Sequence, residues 1–428
     1  MTLEPQEQDQ DTEKAMFENR QEKKERVILF AVTWGNVPET EDSLRELAAL
    51  AETAGGDVVT TLMQNRDYPD PGTYLGRGKI EELREMMALL EADSVICDDE
   101  LSPAQMRNLE KELECKVCDR TLLILDIFAG RAHTSEGKIQ VELAQLRYRQ
   151  AHLSGLGTSL SRLGGGIGTR GPGEKKLEMD RRLIADRIAS LNAELEEVKR
   201  HRDIIRQNRQ KKGSVTAAIV GYTNAGKSTL LNVLTNAGVL EEDALFATLD
   251  PTTRRLKLPG GTEILITDTV GFIRKLPHQL IDAFRSTLEE TTLADILIHV
   301  VDVSNPQAEK QMEVVYQTLK SLGADNKPVL TVFNKLDRAG SDIYLHDSHA
   351  DREARTSIRL RKGVSELLLE LEEIVMNGQI LVERLIPYSD AGLLARIRQS
   401  GRIESEEYEP DGIRIKAYVP KSLYGQLF

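Results

Sequence analysis

Residues Gly221-Tyr222-Thr223-Asn224-Ala225-Gly226-Lys227-Ser228 read G-x-x-x-x-G-K-S, and no other stretch restricts the fold of this chain as tightly. That pattern is a phosphate-binding loop when a strand precedes it and a helix follows. Residues 215–220 (VTAAIV) form an apolar run suited to a buried strand, and residues 228–235 (STLLNVLT) carry the apolar spacing of a helix. Between them, backbone N–H groups at a helix N-terminus can wrap a triphosphate, because orphan donors and the macrodipole both favour anions there. Lys227 is expected to reach the β- and γ-phosphates, the Ser228 hydroxyl to bind Mg²⁺, and Thr229 to line the same loop.

Further motifs follow in the order such a core requires. Segment 245–253 (LFATLDPTT) is the place for a mobile threonine that binds the metal and senses the γ-phosphate. Thr248 is the choice, with Phe246, Ala247, Leu249 and Asp250 beside it in the nucleotide-binding segment; Thr252 and Thr253 are weaker candidates. Strand-like residues 262–267 then run into Asp268-Thr269-Val270-Gly271, a D-x-x-G that sets a carboxylate beside the metal and a glycine N–H against the γ-phosphate. The apolar runs 296–303 and 328–333 read as two more buried strands. The second leads into Asn334-Lys335-Leu336-Asp337, an N-K-x-D guanine reader. Its carboxylate pairs with guanine N1–H and the exocyclic amine, and adenine would leave it unpaired at a cost. Ser357 and Ile358 stand where a base-packing S-A-K loop is usual; Ile358, Arg359 and Arg361 depart from that pattern. Together these motifs predict a GTPase that takes GTP to GDP with Mg²⁺ held by Ser228, Thr248 and Asp268, and with Lys227, Thr248 and Gly271 nearest the chemistry. Phe272 occupies the place where many such enzymes put a water-orienting glutamine. Phenylalanine cannot hydrogen-bond water, so slow intrinsic hydrolysis and a stimulating partner are expected.

The chain is 428 residues long, which suggests two to four domains. Residues 1–26 are polar and charged and read as a disordered tail without a secretory signal. Strand-like and helix-like segments alternate over 27–135, which implies a parallel sheet. Loop 65–79 carries Arg66, Tyr68, Tyr74, Arg77 and Lys79, a mix suited to stacking on and pairing with RNA; a solvated loop held by its prolines is the alternative. Residues 137–153 and 174–210 read as helices, the second roughly 55 Å long, forming a hairpin or spacer. Between them, 164–173 (GGGIGTRGPG) has six glycines in ten positions and basic neighbours. Its G-x-G-x-x-G is no dinucleotide fingerprint, because no strand precedes it. A glycine-rich, locally basic loop in a chain of net charge −13 suits an RNA-inserting element, and a flexible hinge is the alternative. Three cysteines, Cys97, Cys115 and Cys118, fit reduced thiols better than a zinc site, which wants four ligands. The expected domains are 27–135 (α/β), 136–212 (helical, with the glycine-rich loop), 213–377 (P-loop GTPase) and 378–428 (small α+β).

From residue 27 to the end the chain resembles the HflX family of ribosome-associated GTPases. The segments that carry the resemblance are 74–83 (YLGRGKIEEL), 126–146 (DIFAGRAHTSEGKIQVELAQL), 164–174 (GGGIGTRGPGE), 221–228, 246–254 and 268–272. The resemblance implies binding to the large ribosomal subunit and its RNA, with the glycine-rich loop reaching toward the catalytic centre. It implies GTP-regulated splitting or rescue of stalled ribosomes, with hydrolysis stimulated by the ribosome. A cytoplasmic monomer with no DNA partner and no membrane span is expected. An RNA-remodelling NTPase with a separate N-terminal RNA-binding module is the competing reading, as is a nucleotide-gated protein with negligible turnover.

Overall fold

The computed structural model describes residues 24–153, 172–211, 215–235, 245–246, 248–275, 277, 285–340, 344–420 and 423–425. The tail to residue 23 and residues 164–171 of the glycine-rich segment lie outside these. The chain forms two compact units, the first ending at Ile124 and the second beginning at Leu125. No described helix is long and apolar enough to cross a membrane.

The first unit is a four-stranded parallel sheet. Its elements are β1 (Arg26–Thr33), α1 (Val37–Thr53), β2 (Asp57–Asn65), α2 (Arg77–Leu90), β3 (Ser94–Cys97), α3 (Pro103–Leu113) and β4 (Lys116–Asp119). The strand order is β2-β1-β3-β4. Helices cover the sheet, so β1 and β3 read as unbroken apolar runs, as strands buried on both faces do. Helix α3 starts where the sequence says it should. Ser102 and Gln105 form a reciprocal capping box and Pro103 takes the first helical position, where its missing N–H costs nothing.

At the carboxyl ends of these strands sits a buried ionic cluster. The Arg120 guanidinium donates to Asp98 Oδ1 at 2.9 Å and also to Glu46, and Ser43 donates to Asp98 Oδ2 at 2.7 Å. Loop 65–76 corrects one expectation. Tyr74 is only 2% exposed; its hydroxyl accepts from Val32 N–H at 3.0 Å and donates to Asp99, and its ring packs on Phe30. Tyr74 is a core residue and cannot stack on RNA. Tyr68, 81% exposed, and Arg77 remain on the surface, while Lys79 pairs with Glu82 at 2.9 Å.

Helix α4 (Arg120–Arg131) carries the chain into the second unit. There α5 (Ser135–Leu153) and the 40-residue α6 (Pro172–Lys211) pack through Leu143, Leu191 and Leu195 and are tied by Arg187 and Glu142 at 2.8 Å. At 1.5 Å per residue α6 is about 60 Å long. The two helices expected as a hairpin or a spacer thus lie packed against one another.

The sheet that follows is built from β5 (Val215–Gly221), α7 (Lys227–Thr235), β6 (Thr252–Lys257), β7 (Glu263–Asp268), α8 (Arg285–Leu293), β8 (Ile296–Asp302), α9 (Ala308–Ser321), β9 (Val329–Asn334), β10 (Arg352–Arg355) and α10 (Val364–Asn377). Its order is β10-β9-β8-β5-β7-β6, parallel except for β6. Four strands, β5, β7, β8 and β9, end on Gly221, Asp268, Asp302 and Asn334. One sheet edge thus gathers the motif residues, as open α/β sheets do with their ligand sites.

The chain closes with an antiparallel sheet, β11 (Gln379–Ile386), β12 (Arg402–Glu409) and β13 (Gly412–Pro420), in the order β11-β13-β12. Helix α11 (Ala391–Ser400) covers it through Leu394 and Ile397.

Removing Arg120 would leave Asp98 as a buried charge without its cation. Arg120→Ala is expected to cost the first unit about 3–5 kcal/mol. Hydrogen exchange of the β1 and β3 amides checks this; protection equal to that of the parent chain would contradict it.

Candidate functional site

The phosphate loop begins where β5 runs out of room. Gly221 has φ +147°, and a Cβ there would sit 2.3 Å from the Val300 carbonyl oxygen on the neighbouring strand. Gly226 has φ +101°, and a Cβ would lie 2.5 Å from Asn334 Nδ2. These two glycines are required by backbone conformation and by close approach together. The loop is tied on both sides. Thr223 N–H donates to the Phe272 carbonyl at 2.9 Å and Phe272 N–H to the Gly221 carbonyl at 3.1 Å. Asn334 Nδ2 donates to the Ala225 carbonyl at 3.0 Å, and Lys335 Nζ to the Asn224 carbonyl at 2.8 Å.

Lys227 opens α7 with its ammonium buried and donating to the Tyr222 carbonyl at 2.8 Å. Burial pushes its pKa down to about 8, against the opposing pull of Asp268. Burial acts in the opposite sense on Asp268, raising it, while Lys227, Ser228 and Thr248 favour the carboxylate. An anion arriving at this loop would relieve the desolvated ammonium directly.

The three expected metal ligands meet. Ser228 Oγ donates to Asp268 Oδ2 at 2.7 Å, Thr248 Oγ1 donates to the same oxygen at 3.0 Å, and the two hydroxyls are 2.7 Å apart. Asp268 Oδ1 is buried and has no hydrogen-bond partner among the described residues. Two hydroxyls and a carboxylate, one oxygen of which has no partner among the described residues, make a hard-oxygen set that fits Mg²⁺. Gly271 faces the same place; a Cβ there would lie 2.9 Å from Lys227 Nζ. Thr269 instead turns inward, donating to the Ile219 carbonyl at 2.6 Å. The Phe272 side chain is fully buried, so it contributes backbone ties and no group that could orient water.

The base side is also assembled. Asn334 Oδ1 accepts from Ile358 N–H at 3.1 Å, and the Ser357 hydroxyl donates to Asp337 Oδ1. That hydrogen bond is the main cause of a lowered Asp337 pKa, which keeps the carboxylate ionised and able to accept hydrogen bonds. Arg361 has φ +55°, the left-handed conformation that explains why a glycine is common there. Its departure from pattern is accommodated by an Ile358–Arg361 backbone bond of 3.0 Å.

Not every residue of the expected set points at the nucleotide. Phe246 is buried against Phe128, with ring centroids 4.7 Å apart. The Asp250 carboxylate accepts from His133 and Thr134 N–H. The Tyr222 hydroxyl accepts from Arg274 N–H at 2.9 Å. Ala247 lies outside the described residues. Asp302 was not singled out in the sequence; it pairs with Lys335 at 2.8 Å. The available signal was a carboxylate ending the apolar run of β8.

Three family profiles match the chain: "GTP-binding GTPase N-terminal" over residues 41–129, "GTP-binding GTPase Middle Region" over 131–209, and "50S ribosome-binding GTPase" over 216–335. Among curated proteins, "GTPase HflX" of Lacrimispora saccharolytica is 60% identical, covering 94% of this chain and 95% of that protein. "GTPase HflX" of Caldanaerobacter subterraneus is 48% identical over 92% of this chain and 91% of its own. The Escherichia coli protein of that name is 42% identical over 91% and 92%.

Asp337→Asn is expected to lower the preference for GTP over ATP by about 100-fold, since the amide cannot accept from both guanine donors. Ser357→Ala, which only frees that carboxylate, should cost GTP affinity about 10-fold. Competition titrations with the two nucleotides check both; an unchanged preference in Asp337→Asn would remove the guanine-reader assignment.

Proposed function

Because the chain belongs to the HflX family of GTPases, we propose that it is a GTP-hydrolysing switch of the large ribosomal subunit that splits or rescues stalled ribosomes in the cytoplasm. The observation that carries the switch reading is the meeting of Ser228, Thr248 and Asp268 beside Lys227. Thr248 belongs to a segment between α7 and β6, so its place at the metal depends on how that segment is held.

Ser228, Thr248 and Asp268 would hold Mg²⁺, which would supply charge neutralisation for the triphosphate. The chain's own residues do the rest. Lys227 stabilises charge on the phosphate oxygens, and the loop N–H groups orient the triphosphate. Gly271 leaves space for the γ-phosphate and turns its N–H to it. Asp337, with Ser357 behind it, selects guanine. Attack by water in line with the leaving oxygen then needs a group to orient that water. The buried Phe272 cannot supply it, which supports a slow enzyme that a bound ribosome accelerates.

A ribosomal partner is supported by the "50S ribosome-binding GTPase" profile over the core. The candidate contacts are Tyr68 and Arg77 on the first unit's loop and the glycine-rich loop 164–173, of which only Pro172 and Gly173, at the start of α6, are described.

Co-sedimentation with purified large subunits tests this reading. Binding with a non-hydrolysable GTP analogue and release with GDP are expected, together with faster phosphate release when subunits are present. Lys227→Ala should bind no nucleotide and lose the difference between the two states. Equal binding in both nucleotide states, with no stimulation, would overturn the ribosome switch while leaving the guanine site standing.

A further inference from the structure

The segment that delivers Thr248 is anchored at both flanks, and both anchors lie outside the nucleotide-binding sheet. Two residues before Thr248, Phe246 adopts φ +56°, a left-handed conformation that a bulky residue seldom takes. It is held there with its ring buried edge-on against Phe128 of α4. Two residues after Thr248, the Asp250 carboxylate closes on the entry to α5. Its Oδ2 accepts from His133 N–H and Thr134 N–H, each at 2.9 Å, and its Oδ1 accepts from the Thr134 hydroxyl at 2.5 Å. Thr134 Oγ1 in turn accepts from Gly137 N–H at 3.0 Å, as a helix cap does.

The fit leaves no slack. A Cβ on Gly137 would stand 2.4 Å from Asp250 Oδ1. A carboxylate 116 residues away thus acts as the anion at this helix N-terminus, where donors and dipole favour one. Neither Phe246 nor Asp250 faces the phosphate loop.

We propose that Asp250 is a positioning residue for GTP hydrolysis: clamped to the first turn of α5, it fixes Thr248 at the metal. This rests on the reading of Thr248 as a metal ligand and γ-phosphate sensor. Glu136, next to the clamp, pairs with Arg202 of α6 at 2.8 Å, and Arg202 also reaches Glu289 of α8 at 2.7 Å. The clamp therefore ties the chemistry to the helical hairpin. It acts on the GTP state, because Thr248 is the link, and leaves the GDP contacts of the phosphate loop and Asp337 alone.

Three variants of the whole chain test it: Asp250→Ala, Gly137→Ala and Thr248→Ala. Gly137→Ala attacks the clamp from the far side, and alanine in place of glycine favours the helix itself. Single-turnover hydrolysis, its Mg²⁺ dependence and GDP affinity are read for each. Asp250→Ala and Gly137→Ala should slow hydrolysis about 10-fold or more, as a displaced reacting group does. Both should need more Mg²⁺ and keep GDP affinity, and the double variant should be no slower than the worse single one. Asp250→Asn, which keeps one acceptor, should recover part of the rate. If Thr248→Ala is slow and the two clamp variants match the parent chain, the clamp is wrong and the Thr248 reading survives. If Thr248→Ala matches the parent chain, that reading falls and the clamp falls with it. Equal losses of GDP and GTP-analogue binding in the clamp variants would show a merely structural contact and overturn the proposal.

Discussion

Lys227 and Asp268 face one another where water is largely excluded, and the arrangement of the second unit follows from keeping both ionised. A buried ammonium is costly, and here burial draws its pKa down. The cost is met by a loop carbonyl, by the facing carboxylate and, in the liganded enzyme, by phosphate. Those partners must be delivered by separate strands. β5 and β7 lie side by side with Ile219 opposite Asp268, so the loop after one strand opens beside the carboxylate that ends the other. A shift of one residue in that register would turn Asp268 to the other face and strand the lysine. The same desolvation that burdens the lysine strengthens each electrostatic contact made by a triphosphate.

Much of the site was legible in the sequence because its residues are local. A strand, eight residues and a helix fix the phosphate loop; strand ends fix D-x-x-G and N-K-x-D. The glycines could be read because backbone conformation and close approach both demand glycine at Gly221 and Gly226. Elements escaped where pattern and environment disagree. Strand β6 is an edge strand with Arg254 and Arg255 outward and only Leu256 buried, so no apolar alternation announces it. Strand β12 carries Glu404, Glu406, Glu407 and Glu409 and is held by pairing with β13, so only its end from Tyr408, one arm of a hairpin about Asp411-Gly412, could be read from the sequence. Tyr74 misled for a related reason. An aromatic in a proline- and glycine-bearing loop looks available, and only the folded chain brings Phe30 and Asp99 to it.

Contacts across long sequence separation were illegible in principle. Asp250 reads as part of a nucleotide-binding segment until Thr134 is seen to lie against it, and nothing in spacing connects them. The helical hairpin was expected from its stripe, but its attachment through Arg202 depends on Glu136 and Glu289, which lie on two different helices. Motifs describe what touches the nucleotide. The residues that restrain those motifs belong to other elements and follow packing rules of their own.

Helix α6 has a mechanical consequence. Its described side-chain ties to α5 and α8 run from Arg187 to Arg202, while Pro172 stands about 15 residues, or about 22 Å, beyond Arg187 along a continuous helix. Such a rod multiplies angle into displacement: a tilt of about 1° at Arg187 moves its tip by about 0.4 Å over that length. A small tilt at the root thus grows into larger travel where the glycine-rich segment joins. By reciprocity, a modest force applied at the tip exerts a large torque at the root. The gearing ratio is set by helix length, so inserting or deleting whole turns in α6 would retune the machine without altering a single residue that meets the nucleotide.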